Sequence, residues 1–191
     1  MKWLYENWYK STIFIAIYIL LVLLLFVLET DFALFLIWIQ FVVYLLHQFE
    51  EYILPGGFVK FFNHKILGST QDNYPLDEVA SFWINIPIIF IAYPLSATLA
   101  GSIDISIGIW TAYFSIINAV SHVGMFFKHK YNPGFIVSLF LNIPIGIYTI
   151  HYFYTQNIIS INDHLIGLLI GIFIQAIVMI YGFKILKPKV K

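Results

Sequence analysis

The chain has 191 residues, 61% of them hydrophobic and 10% charged, with a mean hydropathy of +0.87 and no formal net charge. A soluble domain is about a quarter charged, so this composition excludes a water-soluble core and indicates an all-α, polytopic membrane helix bundle. It also excludes a basic footprint for nucleic acid, disulfides and thiolate chemistry, since there is no cysteine, and guanidinium clamps for phosphate, since lysine replaces arginine throughout.

A spanning helix needs about 20 apolar residues, and hydropathy places six, in one transmembrane domain covering 1–191. The first covers 11–28 and is preceded by Trp3, Tyr5, Trp8 and Tyr9, which read as an interfacial aromatic anchor. No small-residue cleavage site follows it, so it reads as a retained helix. The second covers 32–54 and stops at Pro55-Gly56-Gly57. The connection 55–78 is the one long polar stretch; it reads either as a solvated connector or as a short amphipathic helix on the membrane surface. The third covers 79–99, with Asn85 inside and a kink expected at Pro87 or Pro94. The fourth covers 105–127, the fifth 134–152 and the sixth 165–185, followed by a polar, frayed lysine tail.

With six crossings, all ten lysines fall on one side, whereas the opposite loops carry only Glu29, Asp31, Asp104 and Asp163. The positive-inside rule then puts both termini in the cytoplasm. The wealth of Ile, Phe, Asn and Lys suggests an AT-rich bacterial genome, hence a multi-pass protein of a bacterial cell membrane.

The organising stretch is His47-Gln48-Phe49-Glu50-Glu51, near the inner end of the second helix. Positions i, i+3 and i+4 share a helix face, so His47, Glu50 and Glu51 can converge. A charge at a bilayer centre costs about 2.5–3.5 kcal/mol or more, so the group needs a cation, a proton or shallow depth. Asn118 and His122, four apart on the fourth helix, reach the same level, as does the turn Tyr131-Asn132-Pro133-Gly134. Each has a plain structural alternative: headgroup water for the glutamates, an interhelical hydrogen bond for His122, and a simple turn at 131–134.

The HQFEE segment at 47–51, the further histidine His122 and YNPG at 131–134 resemble, in order, the motifs of the HXXEE family of bacterial integral membrane proteins. That resemblance covers about half the chain and, the family being of unknown function, implies no activity.

Chemistry therefore comes from the residues. Imidazole nitrogen with carboxylate oxygen suits Zn, Fe or Mn. His47, Glu50, Glu51 and His122 are the candidate ligands; Glu50, Glu51 and His122 are the candidate catalytic groups, one glutamate remaining free as general base. Asn118, Tyr131 and Asn85 are candidates to orient them. This describes an intramembrane metal-dependent enzyme acting on a lipidic, membrane-peptide or other small-molecule substrate from the cytoplasmic side. The alternatives are a metal-free proton-transfer lipid isomerase, a proton- or cation-coupled transporter, and a structural membrane protein. No phosphate loop, HExxH motif or nucleophile elbow is present. The bilayer is the expected partner, and nothing in the sequence sets an oligomeric state.

Overall fold

The chain folds as long helical rods cut by capped or glycine-rich turns. A computed structural model describes residues 1–190, and no strand occurs among them. The rods are α1 (Lys2–Val27), α2 (Phe32–Tyr52), α4 (Glu78–Ser102), α5 (Trp110–His129), α6 (Phe135–Thr155) and α7 (Ile161–Lys189), with a short helix α3 over 58–67. Five of them, all but α5 and α3, are long and apolar enough to cross a membrane. The 20-residue α5 matches them in length; Asn118, Ser121 and His122 make it more polar.

The boundaries have local causes. The Asp31 carboxylate accepts from the Leu34 N–H at 2.9 Å and opens α2, and that of Asp77 accepts from Ala80 at 2.7 Å and opens α4. Ser160 and Asp163 form a capping box that starts α7 at Ile161, earlier than hydropathy suggests. Gly56 and Gly57, at φ of 74° and 88°, turn the chain after α2.

Two expectations change. The N-terminal aromatics are wound into α1, and Trp8 is only 5% exposed, set edge-on against Tyr52 and Phe90. It is a packing residue, not part of an interfacial belt. The tail of α7 is helical to Lys189, because Leu186 is buried with Leu67 and Leu76 and holds it against the 53–77 connection.

The central helix is α2. The most apolar window of α2 is 56% buried, against 17–22% in the other four apolar rods, so α2 is wrapped by α1, α4, α5 and α6. Inside, helices are tied by amide and hydroxyl pairs: Gln40 donates to Thr149 at 2.8 Å, and Asn142 donates to Ser115 at 2.8 Å. In lipid such bonds replace the hydrophobic drive that water would supply, at about 0.6–2 kcal/mol each. Gly171 lets α7 approach α5 closely, since a Cβ there would lie 2.9 Å from the Phe114 backbone nitrogen.

The lysine-bearing segments meet at one end. Tyr5 of α1 lies edge-on to Phe82 of α4 with ring centres 5.0 Å apart, and Phe61 of α3 lies edge-on to His129 of α5 at 5.8 Å. The last two turns of α2 are enclosed at that end.

Candidate metal centre

Successive residues on a helix are about 100° apart. His47 is within one turn of both Glu50 and Glu51, but the two glutamates, being adjacent, point about 100° apart from each other. The enclosure of α2 sends each direction to a different neighbour.

His47 and Glu51 face the end of α5. Glu51 Oε1 stands 3.5 Å from His47 Nε2 and 3.5 Å from His122 Nε2. The two imidazoles meet edge to face, 4.7 Å between centres. One ligand atom from each of His47, Glu51 and His122 lies within 4.8 Å of the others, and all three residues are buried. A spacing of 3.5 Å is long for a hydrogen bond, which prefers about 2.7–3.2 Å. It fits the edge of a tetrahedron whose metal–ligand bonds are about 2.0–2.2 Å, for which neighbouring ligand atoms are about 3.3–3.6 Å apart. These three residues could hold a metal ion.

The far side of each imidazole is held. The Asn132 Oδ1 lies 2.8 Å from His122 Nδ1, and the Asn132 Nδ2 donates to the His122 carbonyl at 2.9 Å. Asn132 is fully buried. With Nδ1 donating to Asn132, the free lone pair of His122 is on Nε2, toward Glu51. His47 Nδ1 lies 3.3 Å from the Ser138 hydroxyl, a longer contact in which either group can donate. Gly134 covers the cluster: at φ +93°, a Cβ there would come within 2.7 Å of His47 Cε1, 2.8 Å of His122 Cε1 and 3.0 Å of Glu51 Cγ.

Glu50 does something else. Its Oε1 accepts from the Tyr131 hydroxyl at 2.9 Å and the Ile136 N–H at 3.0 Å, and its Oε2 accepts from the Val137 N–H at 2.7 Å. It caps the first turn of α6, where a carboxylate satisfies orphan N–H groups and meets the positive end of the helix dipole. The structure thus separates adjacent glutamates that the sequence reading grouped as ligands and catalytic groups. Tyr131 serves Glu50, not the imidazoles; its partial burial and that carboxylate hold its hydroxyl protonated, well above the usual phenol range.

The other candidates lie around the centre. Asn85 accepts from Gln48 at 2.8 Å and donates to the Tyr52 hydroxyl at 3.0 Å, without touching a ligand. Asn118 reaches toward Gln175 of α7 at 3.5 Å and makes no bond to His122. Both line a cavity of about 80 Å³ that also exposes Glu51 and His122. Its walls include Phe58 and Phe62 of α3 and Ile88 and Ile89 of α4. Such a space is large enough for several waters or a small substrate group. Tyr44, one turn before His47 on α2, also lines it, stacked on Phe114 with ring centres 5.6 Å apart and packed on Tyr93 at 5.4 Å.

Sequence reasoning missed Asn132, Ser138 and Gly134 as parts of the centre. The 131–134 turn was placed at the level of the site, but Asn132 and Gly134 were given no part in it. Ser138 gave one usable signal: it is a small polar residue one helical turn after Gly134, at the depth of His47.

The model of a family described as "Protein of unknown function with HXXEE motif" matches residues 38–149, more than half of the chain. No curated protein and no solved structure matches it.

Proposed function

Because this chain belongs to the HXXEE family of proteins of unknown function, we propose its task from the centre itself: a metal-dependent membrane enzyme acting on a lipidic substrate. His47, Glu51 and His122 bind one divalent ion, zinc, iron or manganese, and the 80 Å³ cavity beside them receives the reacting group. The observation that carries this is a buried carboxylate set midway between two imidazole nitrogens at ligand-edge spacing, with each imidazole's other nitrogen held. A buried carboxylate without hydrogen bonds of normal length is costly unless a cation offsets it. A bound ion would supply Lewis acidity toward an oxygen of the substrate or a water.

The chain's own groups have distinct parts. Asn132 and Ser138 orient the imidazoles, as partners of histidine ligands do. Glu50 and Tyr131 fix the start of α6, and through it Gly134, over the ligands. The lysine-rich end faces the cytoplasm, so the substrate enters from the inner leaflet. The buried, mutually packed rings of Tyr44, Phe114 and Tyr93 favour an enzyme over a transporter, which needs a path across.

Metal analysis of detergent-purified protein tests this. Wild type should carry about one ion per chain, and His47→Ala/Glu51→Ala should carry none. Equal and negligible metal in both proteins removes the reading. A second reading, proton transfer on a lipid without metal, rests on the same carboxylate between two imidazoles; turnover that survives chelation would select it.

A further inference from the structure

A second opening reaches the centre from the side. It is a groove of about 480 Å³ between α3, the end of α5 and the end of α7. It shares Phe58, Phe62, Asn118, His122 and Val178 with the cavity beside the ligands, so His122 lines both. The groove is two-faced. Ile66, Met125, Met179 and Phe183 give it apolar walls, the last two exposed, while Lys65, Lys128, Lys187 and His129 line it with them. Each of those lysines comes from a different element, and all three are exposed. No carboxylate lines the groove, so their charge is not neutralised within it. Gly124 of α5 widens it further, since a Cβ there would meet no atom within 4 Å.

We infer that this groove takes an anionic, chain-bearing lipid of the inner leaflet, its phosphate on Lys65, Lys128 and Lys187 and its chain lying along the apolar walls toward His122. Three lysines at membrane-surface level and an apolar slot beside them match the two halves of such a molecule. A neutral lipid would leave the lysines uncompensated, and a free phosphate would leave the slot unfilled. The inference deepens the proposed function by naming its substrate class, and rests on His122 belonging to the reacting centre.

The test is lipid retention by the full chain in native mass spectrometry, with equal dioleoyl phosphatidylglycerol and dioleoyl phosphatidylcholine in the detergent. Each lysine near a membrane surface contributes on the order of fivefold to anionic binding. Wild type should therefore retain phosphatidylglycerol at least about tenfold better than phosphatidylcholine. Lys65→Ala/Lys128→Ala/Lys187→Ala should lose at least about tenfold of that retention. Lys2→Ala/Lys10→Ala/Lys189→Ala, removing the same charge outside the groove, should keep it. Gly124→Trp, which fills open space on a helix, should lose it with thermal unfolding unchanged. Metal content is measured on the same samples and should stay at the wild-type level in all three variants, so the lipid and metal readings fail separately. Equal retention of the two lipids by wild type, an unaffected groove triple variant, an equal loss in the control triple, or competition by glycerol phosphate at lipid-like concentration overturns the inference.

Discussion

Glu50→Gln should destabilise the fold in the absence of metal, and Glu51→Gln should not. The Glu50 carboxylate receives three donors at 2.7–3.0 Å while buried to 4% exposure. Glutamine keeps one acceptor oxygen, which can retain Tyr131 and Ile136 as neutral bonds. Its amide nitrogen then faces the Val137 N–H, donor against donor. The loss is at least one hydrogen bond to a charged group, about 1.5–3 kcal/mol. For a chain of this length each kcal/mol moves the midpoint by about 2–4 °C, so Tm should fall by about 3–12 °C. Glu51 Oε1 makes only the two 3.5 Å approaches to imidazole, so the neutral glutamine amide gives up no hydrogen bond of normal length. Chelator-treated Glu51→Gln should unfold at or above wild type. The assay is thermal unfolding in detergent, followed by circular dichroism at matched pH. A Glu50→Gln midpoint within about 1 °C of wild type, or a larger drop for Glu51→Gln, refutes the division of roles between the two glutamates.

Other perturbations probe the same geometry. Gly134→Ala sets a Cβ within 2.7–3.0 Å of His47, His122 and Glu51 at a left-handed φ; strain of about 1–3 kcal/mol and loss of bound metal should appear together in unfolding and metal assays. Asn132→Ala frees the Nδ1 of His122, and metal affinity by competition with a chelator should weaken about 10–100-fold while Asn118→Ala leaves it unchanged. Acid should loosen the 53–77 connection. Lys60 and then His64 hold the Asp72 carboxylate below its ordinary value of 3.8, so its contribution is complete above that value and is lost as pH falls through the depressed one. Proteolysis of that connection by an acid-active protease should rise over that interval, and Asp72→Asn should show the same susceptibility at neutral pH.

The sequence alone was sufficient for the class of fold. Runs of apolar residues near bilayer length leave few arrangements other than helices, because lipid cannot satisfy an open backbone. The order HQFEE, His122 and YNPG was equally readable, and so was the family. The shared face of His47 and Glu51 follows from helical spacing. The roles within the site did not follow. Spacing alone leaves Glu50 and Glu51 equivalent, both within one turn of His47. Only the packing of α2 between α5 and α6 separates them, one toward an imidazole on another helix and one toward an unpaired helix N-terminus. Asn132 looked like a turn residue because its partner is ten positions earlier and becomes visible only once α5 ends beside α6. Trp8 looked like a surface anchor because nothing in its neighbourhood announces Tyr52 and Phe90. Helix formation is decided within one or two turns of chain, whereas what a side chain on that helix touches is decided by which other helices pack around it.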